Sequence, residues 1–160
     1  MKQYCYVNSP IGNLLLAGTK KGLETILFPY AHEHTNITAQ WSHNEHIFSS
    51  VRLQLFEYFQ GKRREFTTDL NLRGTVFQVK VWRELQKIPF GRTESYSNIA
   101  KKIGNSRACR AVGMANNRNP VPIIIPCHRV IGKNGTLTGF GGGVDLKQKL
   151  LKLEGVILCK

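Results

Sequence analysis

The stretch that most constrains this chain is 121–130, VPIIIPCHRV. Ile123, Ile124 and Ile125 form a β-branched apolar run closed at both ends by Pro122 and Pro126. The run is too short for a helix and reads as one buried strand. Directly past its end stand Cys127 and His128. A thiol delivered by a rigid element, with an imidazole beside it, is how a chain holds a nucleophile in place. The thiolate is the reactive form, and a neighbouring base or cation raises its population at neutral pH. A Cys-His dipeptide alone is more often a small buried residue beside an incidental histidine. The surroundings of this one decide the matter.

Charge is the first of them. The 160 residues carry a formal net charge of +13, but unevenly. Residues 1–74 hold eight Lys and Arg against six Asp and Glu, a balance of +2; residues 75–160 hold fifteen against four, a balance of +11. The excess belongs to the half that contains Cys127, and it fits a polyanionic partner better than a merely solvated surface. The length allows one medium domain or two small ones. The boundary is expected at glycine 74, giving an N-terminal domain over 1–74 and a C-terminal domain over 75–160. Cys5, Cys109, Cys127 and Cys159 lie far apart, without a close pair. That pattern fits a reducing compartment rather than a disulfide framework. With no signal-like opening and no apolar run near the ~20 residues of a membrane span, no membrane partner is expected. The expected location is the cytoplasm, or the nucleus in a eukaryote.

Apolar segments at 4–7, 13–17 and 23–28 are separated by turn residues, the pattern of an antiparallel meander. The polar stretch 30–46 carries His32, His34, His43 and His46. Their spacing matches no zinc motif, so a mobile surface loop is expected there, with no metal and no cofactor. A helix over 51–59, stopped by Gly61, would pack on the meander, and a polar link follows over 62–74. Thr75 can cap a helix reaching about residue 87, with Phe77, Val81, Trp82 and Leu85 on its apolar side. Ser97 is an N-cap candidate for 98–103, with Gly104 as the stop. Asn105 or Ser106 would start a second helix ending near Asn117, giving a helix-turn-helix pattern. Its small residues, Ala108, Cys109, Ala111, Gly113 and Ala115, let a backbone approach DNA closely without reading base edges, while Arg107 and Arg110 project. Asn119, a side-chain amide before proline, suits the turn that joins this pair to the Cys127 segment.

Taken together, NPVPIIIPCHRVIG, TGFGGG and LLKLEG, with SYSNIA and RAVG upstream, resemble the O6-alkylguanine-DNA alkyltransferases, also called methylated-DNA–protein-cysteine methyltransferases. The resemblance is dense over 75–155. It implies an α+β protein: a small RNase H-like N-terminal domain of antiparallel sheet and helix, then a mainly helical domain with a helix-turn-helix and the active-site strand. It implies repair of O6-alkylguanine, with O4-alkylthymine as a further substrate class, by irreversible single-turnover transfer of the alkyl group to Cys127. His128 would take the thiol proton through a water, Glu154 would hold the imidazole tautomer, and Tyr96 would protonate the leaving base. The partner would be double-stranded DNA approached from the minor groove by a monomer, with the damaged nucleotide extruded. Arg110 of the RAVG sequence would fill the gap. Arg107, Ala108, Ala111, Arg118 and Ser97 complete the expected DNA contacts. Asn119, the carbonyls of Cys127 and Val130, Phe140 and the N–H of Gly141 would form the base pocket.

Phe140 and Gly141 stand where many members of that family carry a tyrosine and a small polar residue, and Cys109 where alanine is usual. Two other readings compete. A lesion sensor of the same shape would lack the nucleophile, and Cys127 is present. A cysteine hydrolase of small molecules would need neither Arg110 nor the basic half.

Overall fold

A computed structural model describes residues 1–33, 41–137, 140 and 142–157, except the side chain of His32. The chain forms two compact units, 1–73 and 74–160.

In the first unit, β1 (Gln3–Ser9), β2 (Gly12–Thr19) and β3 (Gly22–Leu27) form the expected antiparallel meander. The order is β3-β2-β1-β4, and β4 (Ser42–His43) joins β1 in parallel. Leu14, Leu15, Leu16 and Ala17 of the central strand are all fully buried, so both faces of that strand are covered. Helix α1 (Pro29–Glu33) packs on β2 and β3, and α2 (Ser49–Phe59) packs on β1 through its buried side, Val51, Gln54, Leu55 and Tyr58. Gly61, at φ +73°, ends α2 in the left-handed conformation that glycine adopts without a Cβ penalty.

Two expectations about this unit need correction. The histidine stretch is not one loop. Residues 30–33 are helical and 42–43 are a strand, because β1 offers an open edge and Tyr4 and Tyr6 offer rings to His43, at centroid distances of 5.3 and 6.4 Å. His34 lies outside the described residues. The link over 62–74 also does more than connect. Leu23 N–H donates to the Asp69 carbonyl at 2.9 Å and Asn71 N–H to the Leu23 carbonyl at 2.8 Å, so the link runs along β3.

The second unit begins with α3 (Val76–Leu85). Thr75 and Gln78 form a reciprocal capping box at its start, and Val81, Trp82 and Leu85 are buried. A two-stranded parallel pair, β5 (Glu94–Ser95) and β6 (Val130–Ile131), matches Glu94 with Val130 and Ser95 with Ile131. Between them run α4 (Tyr96–Lys102) and α5 (Cys109–Asn117), the expected helix pair, and α6 (Val144–Leu153) follows β6. Gly104, at φ +82°, makes the turn between α4 and α5.

The helix starts differ from the expected ones. Ser95, not Ser97, caps α4: as the last residue of β5 it is already extended, and its hydroxyl accepts from Asn98 N–H at 3.1 Å. Tyr96 is therefore the first helical residue. Neither Asn105 nor Ser106 caps α5. Those residues form a turn in which Ala108 N–H reaches the Asn105 carbonyl at 3.1 Å, and α5 starts at Cys109 without a side-chain cap.

The isoleucine run is also not a strand. Residues 121–125 turn back on themselves, Ile125 N–H donating to the Val121 carbonyl at 2.9 Å. Ile123 sits at φ +75°, the only non-glycine residue at positive φ among those described. For a β-branched residue that conformation is strained by about 1–3 kcal/mol. Two prolines four residues apart withhold the N–H groups a strand ladder needs, and Asn119 offers the backbone other partners. The strand begins only at Val130, three residues past the cysteine.

Candidate active site and nucleic-acid interface

Everything from Val121 to Val130 is buried. The segment is held from the helix side by two asparagines. Asn119 donates Nδ2 to the Ile125 carbonyl at 2.7 Å and accepts Val121 N–H on Oδ1 at 2.9 Å. Asn116, in the last turn of α5, donates Nδ2 to the Cys127 carbonyl at 3.4 Å. The loop then tightens into a 3-10 turn over Cys127–Arg129, which sets three consecutive side chains in different directions.

Cys127 is 3% exposed. Burial pushes its thiol up to about 11, against the opposing hydrogen bond from Asn119, the charge of Lys147 and local backbone N–H groups. At neutral pH the resting group is the thiol, and its reaction requires a base.

His128 is fully buried, and its Nε2 stands 2.8 Å from Glu154 Oε2. Burial lowers its basicity, with Arg129 and Lys147 adding to that, against the opposing pull of Glu154. Arg129 grips the other side of the same carboxylate. Its Nε donates to Oε1 at 2.8 Å, a second guanidinium nitrogen also reaches Oε1, and a third donates to the Ile88 carbonyl at 2.6 Å. Burial would raise the Glu154 carboxyl, but hydrogen bonds from His128 and Arg129 outweigh it and hold the group below the usual carboxylate range. An ionised Glu154 demands the proton on Nε2, so Nδ1 of His128 is a bare lone pair. Four consecutive roles result: thiol, imidazole, carboxylate, guanidinium.

A fifth side chain enters from α6. Lys147 is fully buried; its ammonium donates to the Val130 carbonyl and lies 3.5 Å from the Tyr96 hydroxyl. Burial pulls it down to about 8, with Cys127 pulling the other way. Tyr96 stands half-buried at the start of α4, with Gly113 of α5 facing its ring. The Cys127 carbonyl thus already accepts from Asn116 and from Val130 N–H, and the Val130 carbonyl accepts from Lys147. Phe140 is buried, while Gly141 lies outside the described residues.

On the other side of α5 the surface is basic and small. Arg107, Arg110, Ala111 and Arg118 are exposed, Ala108 and Ser97 half-buried, and Cys109 exposed. Val112, Ala115 and Asn116 face inward, and the Ala115 carbonyl accepts Trp82 Nε1–H at 2.8 Å. One helix therefore presents Arg110 to solvent, with Arg107 and Arg118 flanking it, and braces the cysteine loop with its opposite face.

Sequence reasoning missed Lys147, Arg129 and Asn116. The first had a signal: 147, 150, 151 and 154 form one helical stripe, and a lysine on an otherwise apolar stripe must find buried partners. The other two had none, since their partners are main-chain carbonyls and a carboxylate 25 residues away. Among the described residues no group of His, Cys, Asp or Glu could hold a metal ion, and no helix is long and apolar enough to cross a membrane.

Comparison with known proteins adds a second line of observation. Residues 76–156 match the family described as 6-O-methylguanine DNA methyltransferase, DNA binding domain, and residues 2–72 its ribonuclease-like domain. The methylated-DNA–protein-cysteine methyltransferase of Methanosarcina acetivorans is 49% identical over 152 residues, covering 95% of this chain and 97% of that one. The protein of the same name from Mycolicibacterium paratuberculosis is 49% identical, covering 96% and 93%. Among solved structures, Mycobacterium tuberculosis OGT in complex with DNA superposes with a TM-score of 0.88 at 46% identity, covering 95% of this chain and 92% of that one.

Proposed function

The chain belongs to the methylated-DNA–protein-cysteine methyltransferase family, and on that premise we propose that it repairs O6-alkylguanine in duplex DNA by moving the alkyl group onto its own Cys127. The observation that carries this reading is the buried series Cys127, His128, Glu154 and Arg129, set on a loop that α5 braces from behind. A thiol pushed up to about 11 does not ionise unaided. His128 offers a bare Nδ1, reached through a water, and Glu154 stabilises the imidazolium that forms, as in other nucleophile-base-orienter sets. The sulfur then displaces guanine at the alkyl carbon. Tyr96 supplies a proton to the departing ring and lowers the cost of expelling it as an anion. The thioether product has no group beside it able to cleave it, so each chain acts once.

Reaching O6 requires extrusion of the nucleotide, at a cost of a few kcal/mol. The exposed α5 face supports a minor-groove approach: Ala108 and Ala111 admit the backbone, Arg107 and Arg118 meet phosphates with Ser97, and Arg110 stacks in the gap left by the base. Asn119, Val130 and Phe140 line the base in this reading. O4-alkylthymine offers the same electrophilic carbon and is a secondary substrate in this reading. One chain suffices for one lesion, so the acting form is a monomer. It works where the genome lies, in the cytoplasm or, in a eukaryote, the nucleus.

The direct test is a titration of a duplex containing O6-methylguanine with increasing protein. Lesions removed should rise linearly with protein and stop at one per chain. Removal of several lesions per chain would refute the self-alkylation reading.

A further inference from the structure

Two buried acceptors on residues next to Cys127, in sequence or through its carbonyl, have no donor among the described residues. The first is Asn116 Oδ1. Asn116 is 1% exposed, and its Nδ2 faces the Cys127 carbonyl at 3.4 Å. That contact fixes the amide's orientation, because the flipped amide would set oxygen against oxygen. The second is His128 Nδ1, bare because Nε2 carries the proton toward Glu154. Both belong to groups in contact with, or adjacent to, Cys127. Two acceptors cannot pair with each other, and the single S–H of a thiol cannot serve both. A water molecule has two protons and two lone pairs, and a buried polar site of this kind is where one is held.

We propose that one buried water donates to His128 Nδ1 and to Asn116 Oδ1 together and accepts the S–H of Cys127, making Asn116 a positioning residue for deprotonation of the thiol. Asn116 Oδ1 takes one water proton out of play, so the other points at Nδ1 and a lone pair points at sulfur. As the sulfur–carbon bond forms, the thiol proton passes to the water and the water's proton on the imidazole side passes to His128. The carbon–O6 bond breaks with its electron pair left on guanine, which takes a proton from Tyr96. The proton on His128 returns to the phenolate through solvent, so none is gained or lost. The inference rests on the reading of Cys127 as the alkyl acceptor.

The test compares wild type, Asn116→Leu, His128→Ala and the double variant. Alkylation of Cys127 is followed by peptide mass, with free O6-benzylguanine and with iodoacetamide, across pH from about 6 to 10. His128→Ala should slow the reaction about a hundredfold at neutral pH, the scale of a lost general base. Asn116→Leu should slow it roughly tenfold, about half the decades lost with the base itself, and should move the rising limb of the profile to higher pH. The double variant should be no slower than His128→Ala, because both act through the same water. Effects that multiply in the double variant, or an unmoved limb in Asn116→Leu, would overturn the proposal and leave Asn116 as a brace for the Cys127 carbonyl. If Asn116→Leu lacks a cooperative thermal melt, Asn116→Ala takes its place. Iodoacetamide needs no alkylguanine. A shifted limb with iodoacetamide, alongside no reaction of wild type with benzylguanine, would sink the functional reading and leave the water network standing.

Discussion

At the scale of the residue, the site is governed by Glu154, which two neighbours share. Arg129 holds Oε1 and also reaches Oε2, where His128 binds. Removing the arginine alone would leave a buried carboxylate half-compensated. Arg129→Met should therefore destabilise the fold by about 3–5 kcal/mol, measured by denaturant unfolding. Glu154→Gln removes the charge that fixes the imidazole tautomer and touches no phosphate. It should slow alkyl transfer while leaving duplex affinity nearly unchanged; an unaltered transfer rate would reduce Glu154 to a structural partner of Arg129. The pairing of Cys127 with His128 was legible in the sequence because the two are adjacent. Glu154 was reached only through a family resemblance, since a glutamate at a helix end reads as a solvated charge until the fold buries it.

At the scale of the element, α5 faces two ways. Its exposed side carries Arg110, with Arg107 in the turn before it and Arg118 at its C-terminal cap, and its buried side ends in Asn116. Arg110→Ala should impair repair in duplex DNA more than reaction with free O6-benzylguanine, since only the duplex requires extrusion. Equal losses on both substrates would remove Arg110 from the intercalating role. The meander, α2, the α3 cap and α6 were legible, because each is written in local periodicity and capping residues. The segment over 121–125 was not. Its composition is that of a strand, yet Ile123 at φ +75° is held there by contacts from Asn119 to Val121 and Ile125. Tertiary hydrogen bonding overrode β-propensity, as it does where a loop must carry a functional side chain. The same logic explains Ser95 displacing Ser97: the cap must already be extended, and pairing of β5 with β6 decides which serine is.

At the scale of the whole molecule, charge and protonation set the working conditions. The balance of +11 over residues 75–160 predicts duplex binding with weak sequence preference that falls steeply as salt rises, because the energy comes from phosphate contacts and released counterions. Acid should destabilise the fold in two stages. His128 has a folded-state pKa below its unfolded value near 6.5, so the unfolded chain takes up the proton first and stability declines as pH falls below about 6.5. Glu154 is likewise depressed; its contribution is present above an unfolded value of about 4.3 and is lost as pH falls through its lower folded value. Melting temperature against pH should show both declines, and His128→Ala should abolish the upper one.

The central claim is that one sulfur, and no other, accepts the alkyl group. Cys5 is buried in β1 of the other unit, and Cys109 is exposed on α5 with Ala108 and Arg110, not a histidine, beside it in sequence. The protein incubated with an excess of O6-methylguanine duplex should gain the mass of a single methyl group, and peptide mapping should place it on Cys127. A methyl group on Cys109, or continued loss of methylguanine from the DNA with the protein's mass unchanged, would contradict the account.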